Sequence, residues 1–476
     1  MRTQLQKSSG MKHFLTSILI LVYGSVLIAK ELPSSVMSLA EYLSYVKAYH
    51  PIVKQANLII DESDATLLKA RGAFDPKVEI DYDKKEFKST EYYDKLNAAF
   101  KVPTWYGIEL KASFEENEGA FLNPEANVPE NGLYNVGVSV ALARGFLINK
   151  RMAMLKQAKL FTQQAQADRQ LLVNTILYDA SLTYFNWLRA YNEQQVYDSF
   201  LTNAALRFDG IKRSYEAGER PAVDTLEARI TLYNRKLSLE KARITYIKAS
   251  LEVSNFLWLN NNTPVEIRDA IIPDINTFEY IDDVLNTAPL RSENFMLKEH
   301  PKLRSLDYKY QGLFVEKRLK ANQLLPRIDV QYNFLSQTPD VARSFTAAAY
   351  KGLITVRFPL FLRKERGDLQ LAKLKLQDTQ LEINATEITL KNKINALIRE
   401  LESFTLQNDM TIAIINDYEA LLKAEERKFT LGESSLFLIN SRESNLIDAK
   451  LKAITLENDY FNTKASLFNV LSPEMP

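Results

Sequence analysis

The chain carries one long sequence pattern twice, and this duplication restricts the possible fold more than any other feature. HPIVKQANLII at His50 corresponds to HPKLRSLDYKY at His300, and PKVEIDY at Pro76 corresponds to PRIDVQY at Pro326. Further on, Gly218-Glu219 and the helix that follows correspond to Gly432-Glu433 and its following helix. Each copy covers roughly 200 residues, far more than the 20–50 residues of a solenoid repeat. The sequence therefore predicts two copies of one large structural unit.

Each copy is predicted to contain three helices, because apolar residues recur at helical spacing. Leu376, Ile383, Leu390, Leu397 and Phe404 follow one another every seven residues, which is typical of helices packed side by side in a coiled coil. The predicted helices cover residues 38–72, 149–216 and 222–258 in the first copy, and 289–323, 364–430 and 436–472 in the second.

The predicted helix lengths indicate how the helices pack. A helix of about 67 residues is about 100 Å long. The two shorter helices of a copy, placed end to end, match that length. We therefore expect two rods in each copy, one continuous and one made of two pieces.

Between the opening helix and the long helix of each copy, apolar residues alternate with polar ones. Val78, Ile80 and Tyr82 alternate with charged residues, as in a strand that has one polar face. Four strands are expected within 77–142 and two within 327–358. Aromatic-rich strands of about ten residues fit the wall of a transmembrane β-barrel with a polar interior. An amphipathic soluble sandwich is the alternative.

The connections between these strands agree with a membrane orientation. A short turn at 102–107 and a long loop at 117–132 lie at opposite ends of the strands, as in outer-membrane barrels. Trp105 and Tyr106 in the short turn suit a membrane interface.

The N-terminus reads as an export signal. From Met11 a basic start precedes an apolar stretch, Phe14 to Ala29, that is short for a membrane helix of about 20 residues. We expect 1–29 to be a signal peptide that includes an upstream extension, 1–10; an uncleaved anchor is the alternative. With no second apolar run of that length, any membrane crossing by the exported chain must use strands.

Composition and motifs exclude several classes of function. The 476 residues have a net charge of +1 and no basic block, which argues against a nucleic-acid partner. The chain has no cysteine, so disulfides, zinc-thiolate sites and lipid attachment to cysteine are excluded. His50 and His300 each precede a proline at a helix start, where a capping role is expected. We predict no catalytic, metal or cofactor site, and therefore no enzyme.

Two glycine-containing segments interrupt the long helical runs: YEAGERPAVD at 215–224 and FTLGESSLFL at 429–438. Glycine adopts the left-handed conformation that ends a helix, and Pro221 suits the start of the next one. Each segment therefore reads as the tip of a helical hairpin, and residues 259–288 as a linker between the copies. The first repeat then covers 30–258 and the second 289–472.

The order of short helix, strands, very long helix, glycine tip and return helix, found twice, resembles the outer-membrane efflux proteins of the TolC type. The resemblance covers nearly the whole mature chain. The residues that carry it are His50-Pro51, His300-Pro301, the junction Phe358-Pro359-Leu360-Phe361, and the tips Tyr215-x-x-Gly218 and Phe429-x-x-Gly432. The first copy departs at its junction, Ala141–Gly145, which lacks the proline.

The resemblance implies an α+β membrane protein that works as a homotrimer. Three chains share one transmembrane β-barrel in outer-membrane lipid, and a twelve-helix antiparallel coiled-coil barrel continues through the periplasm. Such a trimer is the passive exit duct of a tripartite efflux system for drugs, metabolites or ions, with a periplasmic adaptor and an inner-membrane pump as partners. A duct for type I protein secretion and a periplasmic coiled-coil scaffold without a pore are the alternatives.

The resemblance leaves the number of strands open. Family members commonly give four strands per chain, whereas an extra hairpin near Lys95–Glu116 would give six here.

The resemblance also implies candidate sites at the tips. In the family, an Arg and a Tyr near the second tip bond to an Asp near the first and close the aperture. Asp224 matches the Asp, but the second tip has Phe429 and Ser434, while Tyr215 and Arg220 have the required spacing in the first.

The tip residues fall into two candidate groups. Rings of Asp224 and Glu227 would favour cations, and ordinary surface ion pairs are the alternative. The candidate gate residues are Tyr215, Arg220, Asp224, Glu227, Phe429 and Ser434. The candidate adaptor contacts are Gly218, Glu219, Gly432, Glu433, Ser435 and Leu436.

Overall fold

The computed structural model describes residues 36–287, 297–340 and 343–473. The predicted signal peptide and residues 289–296 of the helix predicted at 289–323 lie outside these ranges. The helices are α1 (Leu39–Tyr49), α2 (Pro51–Arg71), α3 (Lys150–Glu216), α4 (Ala222–Ser254), α5 (Thr277–Val284), α6 (Pro301–Asn322), α7 (Arg363–Thr430) and α8 (Leu436–Leu471). The strands are β1 (Val36–Met37), β2 (Lys77–Phe87), β3 (Thr90–Pro103), β4 (Ile108–Glu118), β5 (Leu133–Ala141), β6 (Ile272–Pro273), β7 (Arg327–Ser336) and β8 (Tyr350–Arg357).

Two very long helices run the length of the helical part. α3 has 67 residues and α7 has 68, so each is about 100 Å long. Near the sheet, α3 packs between α2 and α6, and α7 packs against α6. Towards the tips, α3 packs between α4 and α8, and α7 packs against α8. The short helices thus follow one another along the long ones.

The prediction of one continuous opening helix over 38–72 is wrong, because the helix breaks at His50. His50 has φ −62° and ψ 133°, which is the extended conformation that a following proline favours. Pro51 then begins α2, as its fixed φ allows. α1 leaves the line of α2 and packs against α3. In the second copy, within the described residues, a helix likewise begins at a proline, Pro301, after a single 3-10 turn at Leu297–Glu299.

His50 and His300 each lie at a joint, which is the point along a long helix where one short helix ends and the next short helix begins. The Nδ1 atom of His50 accepts a hydrogen bond from the Ile52 amide at 3.2 Å, and its ring stacks on Phe256, just beyond the end of α4, at 5.6 Å. His300 Nδ1 accepts from the Lys302 amide at 3.1 Å. Its Nε2 lies 2.7 Å from the Val470 carbonyl oxygen in α8. The start of each helix is thus held against the end of another.

The largest apolar core lies at the level of these joints. Tyr184 of α3 stacks on Tyr42 of α1 at 5.7 Å, and Phe185 packs on Phe461 of α8 at 5.1 Å. Burial raises the pKa of Tyr184 to about 12, so its phenol keeps its proton. The hydroxyl donates to the Met37 carbonyl at 2.8 Å and accepts from the Asp274 amide at 3.1 Å. These bonds hold the parallel pair β1 and β6 against α3.

The linker between the two halves of the chain packs on this core. Ile281 of α5 belongs to the apolar cluster. The ammonium group of Lys464, which is buried in α8, hydrogen-bonds to the Asp282 carboxylate of α5. The described part of the predicted linker therefore packs against α3 and α8 at the level of this core.

Six strands form one antiparallel sheet in the order β2-β3-β4-β5-β7-β8. Among the described residues the chain therefore contributes six strands to this sheet, rather than four. The turn between β2 and β3 is tight, and its residues Lys88 and Ser89 have positive φ values of 52° and 58°. Two residues of this conformation make the turn of a tight hairpin.

The two faces of the sheet differ in chemistry and in burial. On the inner strands β3, β4, β5 and β7, Phe100 and Leu110 of the apolar face are 46% and 50% exposed, whereas Asn135 and Asn333 of the polar face are 3% and 7% exposed. The apolar positions line up across all six strands: Val78 pairs with Phe100, Phe100 with Ala112, Ala112 with Val136, Val136 with Phe334, and Phe334 with Tyr350. The edge strand β2 is exposed on both faces, but the inner strands expose apolar side chains and shelter polar ones.

One buried carboxylate ties four helices together near the tips. Glu443 of α8 is completely buried. Its oxygens accept from Arg207 of α3 at 3.1 Å and from Arg235 of α4 at 3.3 Å. Arg207 also donates to Glu426 of α7 at 3.2 Å, and Arg235 donates to the Ser444 hydroxyl at 3.1 Å. We call these five residues the polar layer.

Within the described residues, no helix combines the length and the hydropathy that crossing a bilayer requires.

The polar layer predicts that Glu443→Ala strongly destabilises the helical part. The variant removes the counter-charge of Arg235 and one of the two carboxylates that face Arg207; breaking a buried ion pair by removing one partner costs roughly 3–5 kcal/mol. Thermal unfolding of the purified chain, followed by circular dichroism, should show a large loss of Tm. The matched control is Glu240→Ala in α4, whose ion pair with Arg243 is exposed and contributes little. Equal Tm values for the two variants would contradict the role of the layer.

The His300 joint predicts a pH dependence of stability. Burial lowers the pKa of His300 below its usual 6.5, so the unfolded chain binds a proton before the folded chain does. The stabilisation is complete above pH 6.5 and is lost as the pH falls through the lower pKa of the folded state. His300→Asn keeps an N-cap acceptor but does not titrate. We expect Tm to fall less between pH 7 and pH 5 in this variant than in the parent, and an unchanged slope would refute the assignment.

Candidate functional site

The first tip reverses the chain between α3 and α4. Gly218 has φ +78°, and a Cβ added there would meet nothing within 4 Å, so glycine is required for the backbone conformation rather than for space. The Glu219 amide donates to the Ser214 carbonyl at 2.9 Å, which closes the end of α3 as in a Schellman motif. Pro221 precedes α4, and Asp224 lies in its first turn, where the helix dipole favours an acid.

The second tip has the same backbone but different side chains. Gly432 has φ +80°, and the Glu433 amide donates to the Lys428 carbonyl at 2.9 Å. Ser435 caps α8 by accepting from the Leu438 amide at 3.4 Å. Both tips are therefore turns that backbone hydrogen bonds close.

Arg220 connects the two tips within one chain. Its Nη1 lies 3.4 Å from Asp224 Oδ2, and its guanidinium carbon lies 4.1 Å from the centre of the Phe429 ring. Phe429 packs on a small apolar cluster of Ile211, Ala228 and Leu436. An arginine over an aromatic face is attracted by the ring electrons, so Arg220 holds the end of α7 beside the start of α4.

The other candidate gate residues take separate positions. Glu227 of α4 accepts from the Asn440 side chain of α8 at 3.1 Å, which is a second link between the two hairpins. Ser434 donates to Glu425 within the second hairpin. Tyr215 is 46% exposed, and its backbone carbonyl accepts from the Gly218 amide at 2.9 Å as part of the turn. The structure thus brings together Arg220, Asp224 and Phe429, but not Tyr215 or Ser434.

The tip contacts reverse the roles that the family resemblance implies. There, the second tip supplies an arginine and an aromatic residue to an aspartate of the first. Here, the arginine and the aspartate both come from the first tip, and the second tip supplies the aromatic ring. Both arrangements contain an arginine, an aspartate and an aromatic ring, but here the arginine lies on the first tip instead of the second.

One candidate adaptor contact is wrong in this structure. Leu436 is only 3% exposed, because it forms the apolar cluster inside the tips. Gly218, Glu219, Gly432, Glu433 and Ser435 are exposed. Sequence reasoning missed Leu431 and Phe437, which are 65% and 68% exposed. In the sequence, Phe437 falls outside the helical spacing of Leu436 and Ile439, which are buried. Phe437 therefore lies on a different, exposed face of α8.

Sequence reasoning also missed the polar layer. Glu443 falls in the apolar spacing Leu436, Ile439, Leu446, Ile447 of α8, all of whose members are buried. A carboxylate at such a position predicts a buried partner, because an unpaired buried charge is costly.

Trp105 and Tyr106 lie where the sheet meets the helices. Trp105 stacks on Phe74 at 5.6 Å, and its carbonyl accepts from Asn149, the N-cap of α3, at 2.9 Å. Tyr106 is 59% exposed. Tyr106 therefore faces outwards at the junction, whereas Trp105 also holds the start of α3. Among the described residues, no group of three or more His, Asp or Glu side chains could hold a metal ion.

Comparison with known proteins gives one family and one curated relative. Residues 108–257 match the family described as outer membrane efflux protein. The outer membrane protein TolC of Escherichia coli K12 is 24% identical over 156 residues, which cover 32% of this chain. The matched segment spans only 30% of the length of that relative.

The similarity to solved structures extends over most of the chain. The Campylobacter jejuni CmeC outer membrane channel superposes with a TM-score of 0.61 at 15% identity, covering 91% of this chain and 85% of that one. The outer membrane protein VceC of Vibrio cholerae gives 0.63 at 12% identity, covering 91% and 96%. The CusC structure gives 0.64 at 12% identity, covering 91% of both chains. At sequence identities of 12% and 15%, this structural similarity shows that the fold is shared. The chain is therefore similar in sequence to outer membrane efflux proteins over residues 108–257, and it shares the fold of the CmeC and VceC structures over most of its length.

Proposed function

We propose that the chain is the outer-membrane channel of a tripartite efflux system. It conducts small molecules passively from a periplasmic adaptor and an inner-membrane pump to the outside. The observation that carries this proposal is the reversed burial of the sheet, whose apolar face is exposed while its polar face is sheltered. A lipid bilayer is the surrounding in which such a sheet is stable.

The reversed burial argues against a soluble sandwich. In a soluble sheet the hydrophobic effect puts the apolar face against the core and the polar face in water. Here Phe100 and Leu110 on the apolar face of the inner strands are about half exposed, at 46% and 50%, and a surrounding lipid phase would remove them from water. The polar face then lines an aqueous lumen.

The helical part fits a duct that reaches away from the membrane. The tips lie at the far ends of α3 and α7 from the sheet, about 100 Å along the helix axes. This length suits a passage through the periplasm, with the tips at the mouth that an adaptor would contact.

The uncovered apolar side chains support a homotrimer. α4 exposes a row of apolar residues at heptad-like spacing, and so does α7. The row on α4 is Val223, Leu226, Ile230, Tyr233, Leu237, Ile244 and Leu251. The row on α7 is Leu371, Leu374, Leu381, Ile388, Leu406 and Met410. Along the rods α4 packs mainly on α3, and α7 packs on α6 and α8. Both rows are therefore left uncovered within the chain, and a ring of copies would bury one row against the other.

The duplicated element order supports two structural repeats. Helix, strands, long helix and return helix follow one another in both halves of the chain. The proposed repeats give each trimer six similar hairpins around one axis.

The tip contacts are proposed as the gate of the channel. Arg220 holds Phe429 and Asp224 together, so its release would free α7 from the start of α4. In a threefold assembly, Asp224 is largely neutralised by Arg220, and Glu227 is left as the carboxylate ring that favours cations.

The gate proposal predicts that Arg220→Ala opens the channel. A cation–π contact contributes about 0.5–2 kcal/mol, so its loss in each of three chains should raise the open probability several-fold or more. Single-channel recording in planar bilayers measures this change, together with that of Asp224→Ala, which removes the same anchor from the other side. The matched control is Arg399→Ala on α7, whose side chain is 81% exposed.

Two results would contradict these assignments. Identical open probability and ion selectivity for Arg220→Ala, Asp224→Ala and the parent would show that the tips do not form the gate. Recovery of the mature chain as a soluble periplasmic protein in membrane fractionation would contradict the channel itself and favour a scaffold without a pore.

A further inference from the structure

The six-stranded sheet ends in two open edges. β2 and β8 each pair on one side with a strand of the described chain, and their other sides are free of sheet partners there. β2 is 11 residues long and exposed throughout, and β8 is 8 residues long and exposed at all positions but one. Long exposed edges recruit further strands, so both edges need a partner.

The directions of the two edge strands suit each other. β2 runs from the helices to the far end of the sheet, and β8 runs back from the far end to the helices. β2 of one copy beside β8 of another therefore makes an antiparallel pair, as does every neighbouring pair in the sheet.

The charges of the two edges are complementary. The polar face of β2 carries three acids, Glu79, Asp81 and Asp83, between the two lysines Lys77 and Lys85, whereas the charged residues on the polar face of β8 are Lys351 and Arg357. Opposite charges across neighbouring strands stabilise a sheet. The other faces match as well, because a row of exposed apolar residues on each edge continues the apolar face of the sheet.

The β2–β3 hairpin is part of the sheet wall rather than an appendage. Its strands pair continuously from Lys77 with Lys101 to Phe87 with Thr90, with one irregularity near Lys85. β3 then pairs with β4 from Asp94 to Pro103. The alternation of apolar and polar faces extends through the hairpin from Val78 to Tyr82 on β2 and from Leu96 to Val102 on β3, so β2 is the edge of the sheet.

We propose that β2 pairs with β8 of a second copy, so that three copies of six strands close a barrel of 18 strands. The inference rests on the proposed trimer, and it departs from the four strands per chain that the family resemblance implies. At about 4.8 Å between strands tilted by about 40°, the barrel is about 36 Å across, against about 24 Å for twelve strands. The barrel is then wide, and the constriction of the duct lies at the tips.

Cysteine cross-linking tests which strand meets β8 of the next copy. The chain has no cysteine of its own, so introduced thiols are the sole reactive ones. One variant carries Asp81→Cys on β2 and Thr355→Cys on β8. The matched variant carries Lys111→Cys on β4 and Thr355→Cys. All three positions lie on the polar face, and a flexible bismaleimide in membranes tolerates differences in register.

The expected result is a ladder of covalent dimers and trimers on denaturing gels for the β2–β8 variant, with monomer alone for the β4–β8 variant. The opposite result would overturn the inference, because β4 would then be the edge and the β2–β3 hairpin would lie outside the barrel. Failure of both variants to cross-link in a preparation whose mass is that of a trimer would also overturn it. Loss of the trimer in the unmodified chain would instead contradict the proposed function on which the inference rests.

Discussion

The packing of long helices against short helices joined end to end is the constraint on which the rest of the structure depends. α3 and α7 are about 100 Å long, and a helix of that length is stable only when neighbours cover its apolar stripe. Two short helices can provide this cover only if the joint between them is closed. His50 and His300 close these joints, since each caps a helix start and touches the end of another helix. The sheet lies at one end of these helices and the tips lie at the other, so their positions depend on the packing at these joints.

Much of the helical part followed from spacing alone. The bounds of α3 and α7 lie within one residue of the predicted ones, because a heptad pattern sustained over this length has no competing interpretation. The tips were equally clear, since Gly218 and Gly432 end helices by the conformation that only glycine adopts readily. The six strands of the sheet agree with one of the two strand counts, four and six per chain, that the sequence left open.

The remaining features depend on contacts that spacing does not encode. The break at His50 was missed because the apolar spacing continues across it, although the following proline carried the local signal. Leu436 was taken as exposed because it follows the turn, whereas its partners Ile211 and Ala228 come from α3 and α4. The pairing of Arg220 with Phe429 and that of Glu443 with two arginines join residues more than 200 positions apart. Such pairs require the folded chain.

Electron cryomicroscopy of the mature chain in lipid nanodiscs shows which part of the protein is surrounded by lipid. We expect a disc around the six-stranded sheet, in contact with its apolar face, and helical rods about 100 Å long projecting to one side and ending at the two glycine turns. A disc around the helices, or a sheet that remains in water with its apolar face covered by protein, would contradict this expectation.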